Sequence, residues 1–135
     1  MDNDFENATN IIDNNVAKVK RTSQNLARKL NALLNGNIDN SLTEYYLEAI
    51  EKDFKTTYSF FKSAYSKSIT IARKYDLPVE TKENVFFLGY SLYRIERLYA
   101  DCSMLVYYYC NEPDYRESIL NELCGILRQL RTLYL

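Results

Sequence analysis

The sequence predicts an all-α protein, an antiparallel up-down four-helix bundle with long helices, in which residues 1–135 form a single domain. Three observations carry this. From Val85 to Tyr109 the apolar residues fall at Val85, Leu88, Leu92, Ile95, Tyr99, Cys102, Val106 and Tyr109, in steps that alternate three and four, the pattern of a helix packed along its whole length. Only three glycines and two prolines occur in 135 residues, so helix breakers are rare and their positions mark boundaries. The clear breaker clusters are Asn35-Gly36-Asn37, Asp76-Leu77-Pro78 and Asn111-Glu112-Pro113-Asp114. They leave four periodic segments whose short connections force antiparallel neighbours.

The first helix is expected from about Asp4 to Leu34, with the stripe Ile12, Val16, Val19, Ser23, Leu26, Leu30 and Leu33. Acidic residues (Asp4, Glu6, Asp13) crowd its first half and basic ones follow (Lys18, Lys20, Arg21, Arg28, Lys29), which suits the helix dipole. Gly36 is placed to end it as a left-handed cap. The second helix opens at Ser41-Leu42-Thr43-Glu44, a capping-box spacing. Its stripe is Tyr46, Ile50, Phe54, Thr57, Phe61, Ala64, Ser68 and Ile71, and it closes with Arg73 and Lys74, a length of roughly 50 Å. The third runs from near Thr81 to near Cys110 and is expected to be the most buried. Pro113 follows where a first helical turn tolerates it. The fourth carries Ile119, Leu123, Ile126, Leu130 and Leu133 and ends with the chain. Gly89 and Gly125 fall inside apolar runs, where close helix contacts explain them better than turns.

Composition narrows the chemistry. Basic residues number 17 against 18 acidic, so the chain lacks the excess positive charge that marks a nucleic-acid partner. There is no histidine. That removes Ser-His and Cys-His nucleophilic sites, the Glu-x-x-His pairs of di-iron bundles, histidine-ligated haem and the Arg-x4-His motif of bundle-type ribonucleases. The glycines are isolated, so no phosphate-binding loop is formed, and Cys102, Cys110 and Cys124 lack zinc spacing. They read as buried small apolar thiols of a reducing compartment; a hairpin turning near Asn111 sets Cys102 and Cys124 at similar heights. The amino terminus is acidic and polar, and the most apolar stretch, Met104 to Cys110, is too short to span a bilayer. A cytoplasmic protein with no cofactor, no metal and no membrane partner is expected. Glu44, Glu48 and Glu51 share one face of the second helix and read as a solvated row paired with Lys52 and Lys55.

Two features rise above this background. Opposite its main seam the third helix carries a second apolar stripe: Phe86, Tyr90, Tyr93, Arg97, Ala100, Met104 and Tyr107. Either this helix is packed on both sides or the second stripe meets another chain. Arg97 is expected to reach Asp101 or Glu96, within one chain or across a twofold interface. The 13 tyrosines, with no tryptophan, cluster at Tyr45-Tyr46, Tyr90-Tyr93-Tyr99 and Tyr107-Tyr108-Tyr109. Neighbours on a helix point about 100° apart, so the last three cannot all face one core. Tyrosine combines contact area with a polar tip, which suits interfaces.

Asn35-Gly36 closing a helix, a long second helix leading to Pro78, and Asp101 on the third helix together resemble one repeat of the PhoU family of phosphate-uptake regulators. The family's third helix carries an acidic E-x-x-x-D motif. Here Arg97 stands where its Glu would be, which removes half of the metal-binding signature. The resemblance covers roughly residues 20–110 and implies a metal- or phosphate-responsive regulator. The residues themselves point to a non-enzymatic, homodimeric interaction protein. It would act through Phe86, Tyr90, Tyr93, Arg97, Met104 and Tyr107 and suit a virus- or plasmid-encoded accessory or inhibitor role.

Overall fold

The computed structural model describes residues 2–36 and 38–134. It contains four α-helices and no strand among these residues: α1 (Asp2–Asn35), α2 (Thr43–Lys74), α3 (Val79–Asn111) and α4 (Arg116–Arg131). Short 3-10 turns at Asn40–Leu42 and Pro113–Tyr115 lead into α2 and α4.

Cross-helix contacts fix the directions. Asn15 Nδ2 donates to Ser68 Oγ at 3.0 Å while Lys29 pairs with Asp53 at 3.1 Å, so α1 and α2 run antiparallel. Tyr58 lies against Tyr99 and Glu48 reaches Cys110, so α2 and α3 do too. Arg94 meets Gln129 and Arg116 meets Tyr109, which sets α4 antiparallel to α3.

The cross-section is a diamond rather than a square. α1 and α3 touch across the bundle, whereas the backbones of α2 and α4 stay apart among the described residues and are joined only at one end, by Arg116 and Glu44. Asp13 accepts a hydrogen bond from Asn84, and the Lys20 ammonium lies over the Phe87 ring. That register brings Ser23 of α1 level with Ser91 of α3. Both are fully buried, and their small side chains suit a close approach there.

The expected stripes of α1 and α4 are the buried ones, with Val16 only half-buried. On α2 the buried stripe begins at Thr43 and Leu47, while Tyr46 is exposed. On α3 Ser91 and Leu98 are buried, and Leu92 and Tyr99 are half-buried. The reason is the arrangement of neighbours. Tyr99 and Gly89 face Tyr58 and Tyr65 of α2. Ser91 and Leu98 share a helix flank with Arg94, which reaches α4. The centre of the seam therefore lies between the two flanks. α3 touches all three other helices, yet its outer face is exposed, so it is the most connected helix rather than a fully buried one.

Three termini differ from expectation. Gly36 has no positive φ; a Cβ there would instead strike the carbonyl oxygen of Ala32, so close approach, not a left-handed cap, favours glycine. Asn37, the third residue of that breaker, lies outside the described residues. The α2 entrance is held by Asp39, whose Oδ1 accepts from the Ser41 backbone N–H at 3.1 Å, and not by a Ser41–Glu44 box. Finally, α4 stops at Arg131, where Thr132 Oγ1 donates to the Gln129 carbonyl at 2.6 Å. No helix is long and apolar enough to cross a membrane among the described residues.

Candidate functional site: the outer face of the third helix

Residues 86, 90, 93, 97, 100, 104 and 107 lie on one side of α3, about half a turn of the wheel away from the core, and all are exposed. Phe86 is 77% exposed, Tyr90 50%, Tyr93 56%, Met104 52% and Tyr107 63%. Among the described residues no helix lies over them. At roughly 200 Å² for a large side chain, these five leave about 600 Å² of mostly apolar surface in solvent, at the upper end of what monomers show.

Two arginines hold Tyr93 and Tyr90. Arg97 Nη1 donates to the Tyr93 hydroxyl at 3.0 Å, and its guanidinium carbon lies 5.9 Å from the ring centre. The hydrogen bond to Tyr93, with the field of Asp101 as a smaller contribution, holds the Arg97 pKa above its ordinary value. Arg94 repeats the arrangement on Tyr90, with a 3.4 Å bond to the hydroxyl and 5.6 Å to the ring centre. Its other arm donates to the Gln129 carbonyl at 3.3 Å and caps α4. Within the chain Arg97 forms no ion pair with Asp101 or Glu96: the ion pairs among the described residues are Lys29–Asp53, Lys82–Asp76 and Arg116–Glu44. Tyr93 lies one turn before Arg97, so the guanidinium is drawn toward the helix start and away from Asp101.

Beside the stripe a groove of about 550 Å³ opens between α2 and α3. Gly89 forms part of its wall. A Cβ there would lie 2.8 Å from Tyr65 Cε1, so glycine lets the Tyr65 ring sit against the α3 backbone between Val85, Phe86 and Tyr93.

A second cluster occupies the far end of α3. Glu44, Glu48 and Cys110 bring one ligand atom each within 4.8 Å of one another, and Cys110 Sγ donates to Glu48 Oε1 at 4.0 Å. Glu44 faces Arg116 at 3.9 Å. The expected pairing of these glutamates with Lys52 and Lys55 is absent among the described residues. Partial burial and the neighbouring Glu48 raise the Glu51 pKa. Desolvation, then the nearby Glu44 carboxylate and the field of Glu48, push the Cys110 thiol up to about 11. Burial and then Glu51 push Cys102 up to about 12. All three cysteines are free, Cys102 buried and the other two half-buried.

The sequence alone did not reveal Arg116. Its Nε donates to the Tyr109 carbonyl at 3.0 Å and its guanidinium lies 4.9 Å from the Tyr109 ring centre, closing the carboxyl end of α3. The signal was a lone basic residue just after the Pro113 turn. Arg97 and Asp101, the positions matched to the PhoU motif, stand on the outer face, with Arg97 bonded to a tyrosine. Comparison of the chain with protein-family models, curated proteins and solved structures finds no match.

Proposed function

We propose that the protein is a non-enzymatic interaction module that works as a homodimer through the outer face of α3, in an accessory or inhibitory role. The observation that supports this reading is a row of five exposed large apolar side chains, two of which, Tyr90 and Tyr93, are already held by Arg94 and Arg97. Side chains ordered before contact lose less entropy on association. Tyrosine and arginine are also the residues that concentrate binding energy at interfaces. Light scattering at tens of micromolar tests the reading: a dimer mass is expected for the native chain and a monomer mass for the Tyr93→Asp, Met104→Asp double variant. A monomeric native chain refutes self-association. A dimer unchanged in the double variant places the interface elsewhere.

A second reading, a metal-responsive regulator, draws on the Glu44–Glu48–Cys110 group. Two carboxylates and a thiol form a donor set that zinc accepts. Titration calorimetry with zinc, repeated on Cys110→Ala, tests it. Heat of binding lost in the variant favours this reading, and no heat removes it.

A further inference from the structure

We infer that the partner on this face is a second copy of the chain, packed antiparallel, α3 on α3, about a twofold axis passing near Arg97. The inference rests on the homodimer reading above and adds its register. Three observations lead to it.

The first is symmetry of spacing. The stripe runs 86, 90, 93, 97, 100, 104, 107, and reversal about Arg97 maps it onto itself to within one residue, a mismatch of about 1.5 Å along the axis. Phe86 then falls opposite Tyr107 of the second copy, Tyr90 opposite Met104, and Tyr93 opposite Ala100. An isologous contact needs this self-matching. It also pairs sizes: the Tyr93 ring meets the small Ala100, while the aromatic ends meet each other. A parallel pairing sets every position against its own copy, whereas the antiparallel one does so only at Arg97.

The second is charge. Arg97 leans back onto the hydroxyl of Tyr93 at 3.0 Å, so its guanidinium is held on the Tyr93 side of the axis rather than on it. In the antiparallel register the level of Tyr93 is also the level of Ala100 and Asp101 of the second copy. A twofold axis in the interface plane brings like flanks together, so Arg97 and Asp101 lie along the same edge of the contact. Asp101 forms no ion pair among the described residues. The dimer supplies each Asp101 with a guanidinium and carries the two arginines apart in opposite directions.

The third is area. The five apolar side chains expose about 600 Å², and the interleaved Arg97 and Ala100 bring the face toward the 800 Å² or so per partner of a standard interface. Helices packed 8–10 Å apart cover a strip of this width without disturbing α2 or α4.

Cysteine pairing tests the register. In a chain with Cys110 and Cys124 replaced by Ser, Arg97→Cys is expected to form a disulfide-linked dimer under mild oxidation. Phe86→Cys alone and Tyr107→Cys alone are expected to stay largely uncrosslinked, and an equimolar mixture of the two to yield the crosslinked heterodimer. Sedimentation of each variant under reducing conditions confirms that it still dimerises. Efficient self-crosslinking of Phe86→Cys, or no crosslink in the mixture, overturns the register while leaving a dimer through this face standing. A monomer mass for the native chain overturns the register together with the reading beneath it.

Discussion

Gly89 and Gly125 sit in similar apolar helical surroundings, yet replacing each by alanine should change stability in opposite directions. Alanine is favoured over glycine in a helix interior by about 0.8–1.0 kcal/mol. At Gly125 the nearest atom to a new Cβ is Arg128 Nη2 at 3.8 Å, an ordinary contact with a mobile group. The propensity gain should appear undiminished, as about 1 kcal/mol, or roughly 3–5 °C in Tm for a chain of this size. A packing role for Gly125, expected from the sequence, is therefore not supported. At Gly89 the new Cβ lies 2.8 Å from Tyr65 Cε1 and 3.2 Å from Cζ. Tyr65 packs against the core, so its ring must shift. Overpacking of this kind costs about 1–3 kcal/mol, which outweighs the gain and leaves a net loss of up to about 2 kcal/mol. Urea unfolding followed by circular dichroism measures both. Tyr65→Leu removes the obstructing ring carbons, so Gly89→Ala in that background should recover most of the loss, giving a coupling of about 1 kcal/mol or more. Equal midpoints for the two glycine variants, or no coupling to Tyr65, would refute the argument.

Two further predictions concern the buried polar groups. Ser91 Oγ is buried without a hydrogen-bond partner, so Ser91→Ala should raise the urea midpoint by the equivalent of about 1 kcal/mol, the cost of an unsatisfied hydroxyl; a lower midpoint would reveal a partner such as a buried water. The unfolded Cys102 thiol ionises near 9.0 and the folded one only near about 12. Between those values the unfolded chain binds fewer protons, so stability should fall as pH rises; a urea midpoint whose decline with alkaline pH is no shallower in Cys102→Ala would contradict this.

The parts of the fold legible in the sequence are those set by local periodicity. Ile119, Leu123, Ile126, Leu130 and Leu133 could be read directly because α4 has one buried face. The seam of α3 was legible in period but not in phase. Its neighbours α2 and α4 lie apart, so Ser91 and Leu98 on one flank are as central as residues on the other, and local apolarity favoured Leu92 and Tyr99. Tyr46 and Leu47 show the same ambiguity at the start of α2, where either stripe satisfies the helical period. Caps were harder still. Arg94 on Gln129 and Arg116 on Tyr109 join residues of different helices, and only the packing angle decides which carbonyl an arginine reaches. The Glu44–Glu48–Cys110 group likewise needs α2 and α3 set side by side. The outer stripe of α3 was visible because it repeats the helical period a second time, whereas its freedom from cover required the structure.

The diamond cross-section supplies an internal comparison for that stripe. α1 and α3 face each other across the short diagonal, and each has a face directed away from the bundle. On α1 the outward positions follow the same alternation of four and three: Asn10, Asn14, Ala17, Arg21, Gln24 and Arg28, all exposed. Helix packing makes the same demand at both corners, yet α1 meets solvent with amide and guanidinium groups, and α3 with Phe86, Tyr90, Tyr93, Met104 and Tyr107. The aromatic row is therefore not required by this fold. Exposed apolar side chains bring no benefit to an isolated bundle and add a tendency to associate. Their contribution arises on contact, and the tyrosine–arginine pairs that hold two of them in place reduce the entropy lost when that contact forms.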